Sequence, residues 1–198
     1  MSPATITVTG ARGGHGTTTV ATALAILAAD HGPTRLVSAD AAALLALPGM
    51  PEPGMPVPVT NHLALELPGT GGAREHVVTV IDAGATGSAA TAPTGEPSFV
   101  VLRGPCYLGL RHLVTRAVPP PAGIILLSEP GRSLTRRDVE DVVGVPVMAS
   151  VVQHPTVART IDAGLLLDRL HRLPQFRELW ALAQRLFDLP ADSQPAVA

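Results

Sequence analysis

Residues Thr5–Gly32, TITVTGARGGHGTTTVATALAILAADHG, decide the fold. Ile6 and Val8 alternate with Thr5, Thr7 and Thr9, the period-two, β-branched pattern of a strand. From Thr17 to Asp30 the chain is rich in Ala and Leu and reads as a helix, stopped by His31-Gly32-Pro33. Between strand and helix lies a turn carrying Gly10, Gly13, Gly14 and Gly16. Such a turn binds anions through its backbone. Glycines let successive N–H groups point inward, and the helix N-terminus adds partial positive charge. In the full phosphate-loop pattern, GxxxxGK[ST], a lysine follows the last glycine and a magnesium-binding hydroxyl follows the lysine. Here Thr17 stands at the lysine position and Thr18 at the hydroxyl position. The candidate nucleotide-binding residues are therefore Gly13, Gly14, His15, Gly16, Thr17, Thr18 and Thr19, with Thr18 also a candidate metal ligand. His15 reads either as a group titrating beside a phosphate or as an exposed loop histidine.

Composition narrows the function classes. The 198 residues are 46% hydrophobic and 15% charged, which fits a globular domain with a substantial core. A net charge of −2 argues against a strongly basic nucleic-acid binder. All 14 basic residues are arginines, so no other lysine of this chain replaces the one missing from the loop. The lone Cys106 cannot form an internal disulfide and fits a reducing compartment. Its place near a helix start, with Arg103 and Arg111 close in sequence, would favour a thiolate, but a lone cysteine just before YLGLRHLV reads rather as a small buried hydrophobe. The opening MSPATITV lacks the pattern of a signal peptide, and the apolar run Val20–Ala29 is too short to span a bilayer. A soluble cytoplasmic protein is expected.

Beyond the opening unit, strands are expected at Arg35–Ser38, His62–Leu67, His76–Ile81, Phe99–Leu102, Ile124–Leu127 and Val145–Val152. Helices are expected at Asp40–Leu47, Pro105 to about Val118, Ser133–Val143, Pro155 to about Leu170 and Gln175–Phe187. Pro48–Pro58, with five prolines and two glycines, reads as a loop, as does Thr86–Pro97. This alternation predicts an α/β fold of three αβα layers: a mostly parallel, twisted sheet of about seven strands with helices on both faces. Residues 1–188 form a single domain in this reading, and 189–198 a flexible C-terminal tail. Ligands of such sheets bind at the carboxyl ends of the strands, where the Gly10–Thr19 loop, Asp40 and Asp82 all fall.

The loop ARGGHGTTT resembles the deviant Walker A loop of the ParA/MinD family, KGGxGK[ST][ST]. In that alignment Arg12 takes the place of the signature lysine, which reaches across a sandwich dimer to the other subunit's nucleotide. LVSAD is similar to the strand entering switch I, with Ser38 in place of the first aspartate and Asp40 as the second, water-orienting one. VTVIDAG resembles the strand entering switch II, with Asp82 holding magnesium through water. The stretch RRDVEDVVGVPVMASVVQHPTVARTIDAG is similar to the C-terminal half of these proteins, nearest the actinobacterial and pilus-associated TadZ/CpaE-like branch. The resemblance implies ATP or ADP with Mg2+ as ligands, Arg12 and Asp40 as catalytic groups, and Thr18 and Asp82 at the metal. It also implies a homodimer and a protein partner. Ser128 and Gln153 lie where such a fold holds the base.

The same family uses basic patches on non-specific DNA. Arg132, Arg136 and Arg137 are followed at once by Asp138, Glu140 and Asp141, which favours a solvated helix face. MinD-like proteins end in a basic membrane-targeting helix. Here Phe176, Leu179, Trp180, Ala183 and Phe187 make an apolar stripe whose few arginines are balanced by acids, so packing on the body or on a partner is expected. Losing the lysine weakens nucleotide binding by roughly ten- to a hundred-fold. Hydrolysis suffers more, because charge develops on the transferred phosphoryl group. The leading expectation is a degenerate, slow or inactive ATPase serving as a dimeric positioning or assembly adaptor. The alternatives are an active ATPase cycling between monomer and dimer, and a nucleotide-free structural module.

Overall fold

The computed structural model describes residues 5–49, 51–69, 77–85, 96–115 and 121–187. Its strands are β1 (Thr5–Gly10), β2 (Thr34–Val37), β3 (Val57–Pro58), β4 (Leu63–Glu66), β5 (Val78–Ala85), β6 (Ser98–Gly104), β7 (Gly123–Ser128) and β8 (Val147–Val152). Its helices are α1 (Thr17–Ala29), α2 (Ala41–Leu44), α3 (Tyr107–Val114), α4 (Arg136–Val143), α5 (Pro155–Asp162), α6 (Leu166–Arg169) and α7 (Arg177–Phe187). The strands form one sheet in the order β3-β4-β2-β5-β1-β6-β7-β8. Every neighbouring pair is parallel except β3 with β4.

Side-chain alternation divides the sheet into two buried faces. In β6, Phe99 and Val101 point into the larger core while Val100 and Leu102 point into the smaller one. In β7, Ile125 and Leu127 alternate with Ile124 and Leu126 in the same way. Residues of α1, α2, α5, α6 and α7 fill the larger core; α3 and α4 cover the smaller through Leu110 and Val139. The three αβα layers follow. Helix α1 is apolar almost all round and buried from Val20 to Ala28, the pattern of a helix enclosed by other elements. In α7, Leu179, Trp180, Leu182, Ala183 and Phe187 join the larger core, so its apolar stripe packs on the body.

Four expectations need correction. The stretch Pro48–Pro58 is not all loop: Val57–Pro58 pairs with β4, so the sheet, expected to have about seven strands, has eight among the described residues. Two residues show no periodicity, and Pro58 is tolerated only because the strand lies at the sheet edge. Helix α2 is shorter than Asp40–Leu47, with Ala46 in the left-handed region at φ 51°. The run Pro155–Leu170 is not one helix: Gly164, at φ 67°, separates α5 from α6, and a 3-10 turn follows at Leu170–Arg172. Helix α4 starts at Arg136 rather than Ser133, because Thr135 and Asp138 form a capping box. The expected tail 189–198, most of the Thr86–Pro97 loop and the end of the helix near Val118 lie outside the described residues.

Candidate functional site

The carboxyl ends of the parallel strands lie along one edge of the sheet. There β1 delivers the Ala11–Gly16 loop, β2 delivers Ser38, and β5 carries Asp82. Ala11 anchors the loop: its N–H donates to Val101 O at 2.8 Å, and its side chain is fully buried. Gly13 and Gly14 are exposed, with Gly14 at φ 76°. Gly16, at φ 79°, turns the chain into α1; a side chain there would also meet Leu127 Cδ1 at 2.6 Å. The first turn of α1 is Thr17-Thr18-Thr19, with no acidic residue and no side-chain hydrogen bond from its N-cap. Its backbone donors thus face outward with the helix's partial positive charge behind them.

Thr17 is buried, and its hydroxyl lies over Gly10, where a built Cβ would meet Thr17 Oγ1 at 2.3 Å. The loop therefore offers backbone dipoles and a buried neutral hydroxyl at the lysine position. Thr18 and Thr19 are half-buried, and Arg12 is exposed on the loop.

His15 departs from the exposed-histidine reading. It is buried, and its Nδ1 accepts the backbone N–H of Arg103 at 3.3 Å. Burial holds its pKa below the ordinary 6.5, helped by the nearby Arg12 and Arg103 and opposed by the Val101 carbonyl and Glu129. The ring is thus directed at β6 and Gly109 rather than lying free on the loop surface.

Ser38 replaces a carboxylate of the resembled motif and has work of its own. Its Oγ donates to Asp82 Oδ2 at 2.7 Å and accepts the N–H groups of Asp40 and Ala41, each at 3.2 Å. Asp40 occupies the N-cap position of α2, but its exposed side chain makes no capping hydrogen bond; Ser38 performs that role. Asp82 is buried, in register with Val8 of β1, and its Oδ1 accepts the N–H of Gly84 at 3.1 Å. Thr18, Asp82 and Ser38 offer hard oxygen donors, the chemistry that suits magnesium.

Beside the loop opens a cleft of about 290 Å3. It is lined by Gly16, Thr19, Arg103, Leu127, Gln153 and Val157 among others. Of the two residues expected near a base, Gln153 lines this cleft, while the Ser128 hydroxyl lies 3.4 Å from that of Ser150. Two residues of this region carry no motif and were not singled out for the site: Arg103, at the end of the apolar run FVVLR, and Glu129 after β7. The signal available was a charged residue closing each buried strand at the ligand edge. Cys106, half-buried, caps α3 by accepting the N–H of Gly109. The arginines at α4 are matched by acids: Arg132 with Glu129, Arg136 with Glu140 and Glu178, Arg137 with Asp141. Among the described residues no helix is long and apolar enough to cross a membrane.

No protein-family model matches the chain, and no curated protein matches it in sequence. Solved structures do. The MinC:MinD cell division protein complex of Aquifex aeolicus aligns over 97% of this chain and 100% of that one, at 14% identity and TM-score 0.72. A Cyanothece McdA–ATP complex aligns over 98% and 99%, at 13% identity and TM-score 0.72. The septum site-determining protein MinD of Pyrococcus horikoshii, complexed with Mg-ADP, aligns over 98% and 100%, at 14% identity and TM-score 0.67.

Proposed function

We propose that this chain, which has the fold of the MinD and McdA structures, is a ParA/MinD-type nucleotide-binding protein with a degenerate phosphate loop. It binds ATP and ADP weakly, hydrolyses slowly or not at all, and acts as a dimeric positioning or assembly adaptor for a protein partner. The observation that carries this reading is the loop itself. Gly16 turns into an uncapped first helical turn of three threonines, while Thr17 leaves the lysine position without charge. The backbone part of phosphate recognition is retained; the cationic part is not.

Magnesium belongs to the same reading. Thr18 and Asp82 would hold it, Asp82 through water, and when bound it supplies positive charge to the phosphates. Ser38 keeps Asp82 oriented by the 2.7 Å hydrogen bond. Arg12, exposed on the loop, is the candidate for reaching a second subunit, and Asp40, exposed at the start of α2, the candidate for orienting water.

Calorimetric titration with ATP and ADP in the presence of magnesium tests the reading. Weak, magnesium-dependent binding is expected, and self-association should rise with ATP. A folded protein that binds neither nucleotide would overturn it in favour of a nucleotide-free module. Thr17→Lys should strengthen binding by about ten- to a hundred-fold. An unchanged affinity would mean that the loop does not hold phosphate.

A further inference from the structure

We infer that Arg103 is the cation that meets the nucleotide's phosphates in place of the missing lysine, with Glu129 as the site where its guanidinium rests when no phosphate is present. The inference depends on the nucleotide reading above. Position is the first argument. Arg103 is the next-to-last residue of β6, which neighbours β1 in the sheet, and lines the same cleft as Gly16 and Thr19. Its backbone N–H is held by His15 of the loop at 3.3 Å, which fixes the root of the side chain against the phosphate nest.

Charge is the second argument. Arg103 Nε donates to Glu129 Oε1 at 2.7 Å, and Glu129 Oε2 accepts from Arg132 Nε at 2.8 Å. One carboxylate thus faces two guanidinium groups, leaving the trio with one net positive charge. The two arginines, Arg132 first, hold the Glu129 carboxyl below its usual range, so it is ionised at neutral pH. An anion entering the cleft can take Arg103 without stranding Glu129, which keeps Arg132.

Mobility is the third. The Arg103 side chain is 45% exposed, so its ion pair is an exchangeable surface contact. A guanidinium also suits phosphate, which it can grip with two parallel N–H donors. The chain lacks any lysine, and among the described cleft-lining residues, which include Gly16 and Thr19, Arg103 is the one arginine.

The test is titration of the full chain with Mg-ATP and, separately, with adenosine. Arg103→Gln should lower ATP affinity by about ten-fold and leave adenosine binding unchanged. Glu129→Gln, which releases Arg103 without altering it, should raise ATP affinity several-fold. Wild-type binding of ATP with no loss in Arg103→Gln overturns the inference while the nucleotide reading stands. Equal losses for ATP and adenosine would make Arg103 a structural wall of the cleft, and also overturn it. If the wild type does not bind ATP, both readings fall. Should Arg103→Gln prove unfolded by circular dichroism, the Glu129→Gln arm decides: a rise for ATP alone supports the assignment, and no rise refutes it.

Discussion

Gly16 and Gly10 show how little room the loop has. Gly16 sits in the left-handed region with Leu127 Cδ1 where a side chain would have to go, whereas nothing lies within 4 Å of a Cβ built at Gly13. Gly16→Ala should therefore cost about 1–3 kcal/mol through strain and crowding. Gly13→Ala should be near neutral, and chemical denaturation of the two variants gives the contrast. Gly10 matters for another reason: the space left by its missing Cβ is filled by the Thr17 hydroxyl. His15 sets a pH dependence. Because its folded pKa lies below 6.5, its contribution to stability is full above that value and is lost as pH falls through the lowered pKa. His15→Asn, which keeps an acceptor for the Arg103 N–H, should flatten the fall in melting temperature between neutral and mildly acidic pH. An unchanged slope would show that other groups carry the dependence. The burial of His15 was not legible in the sequence, since its partner is 88 positions away. The glycines and threonines of the loop were legible, because their geometry is local.

Among the elements, β2 and β4 are joined by more than their ladder. Arg35 and Glu66 form a buried ion pair at 3.2 Å, on the sheet face opposite Leu36 and Leu65. Removing one member of such a pair leaves a desolvated charge, and Glu66→Leu should cost about 3–5 kcal/mol. Adding Arg35→Met should recover much of that loss, a non-additivity measurable by a double-mutant cycle. Element boundaries were less legible than element types. Ser38 and Asp40 stand two positions apart and cap helices about equally well by residue type; in the structure Ser38 takes the N–H groups while its hydroxyl also donates to Asp82. In 155–170 the apolar residues continue past Gly164, which hides the break that the glycine makes.

At the scale of the molecule, the alternation of strands and helices was enough to read three layers, because buried parallel strands leave long apolar runs. Which helix covers which face was not readable, since it depends on sheet order. The final helix illustrates the point. Its balanced charges favoured the body or a partner over a membrane but did not choose between those two; Leu179, Leu182 and Ala183, wholly buried in the larger core, assign the stripe to the body. A chain ending at Leu173 should lose cooperative thermal unfolding and bind hydrophobic dyes. Retention of a sharp melt would mean that α7 is an appendage. The short strand β3 has a separate consequence. Sheet edges invite other chains to add strands, and assemblies of identical subunits can grow without limit by that route. Here the border strand is only Val57–Pro58, runs against its neighbour, and ends in a residue with no N–H to offer. That side of the molecule is a poor template for polymerisation.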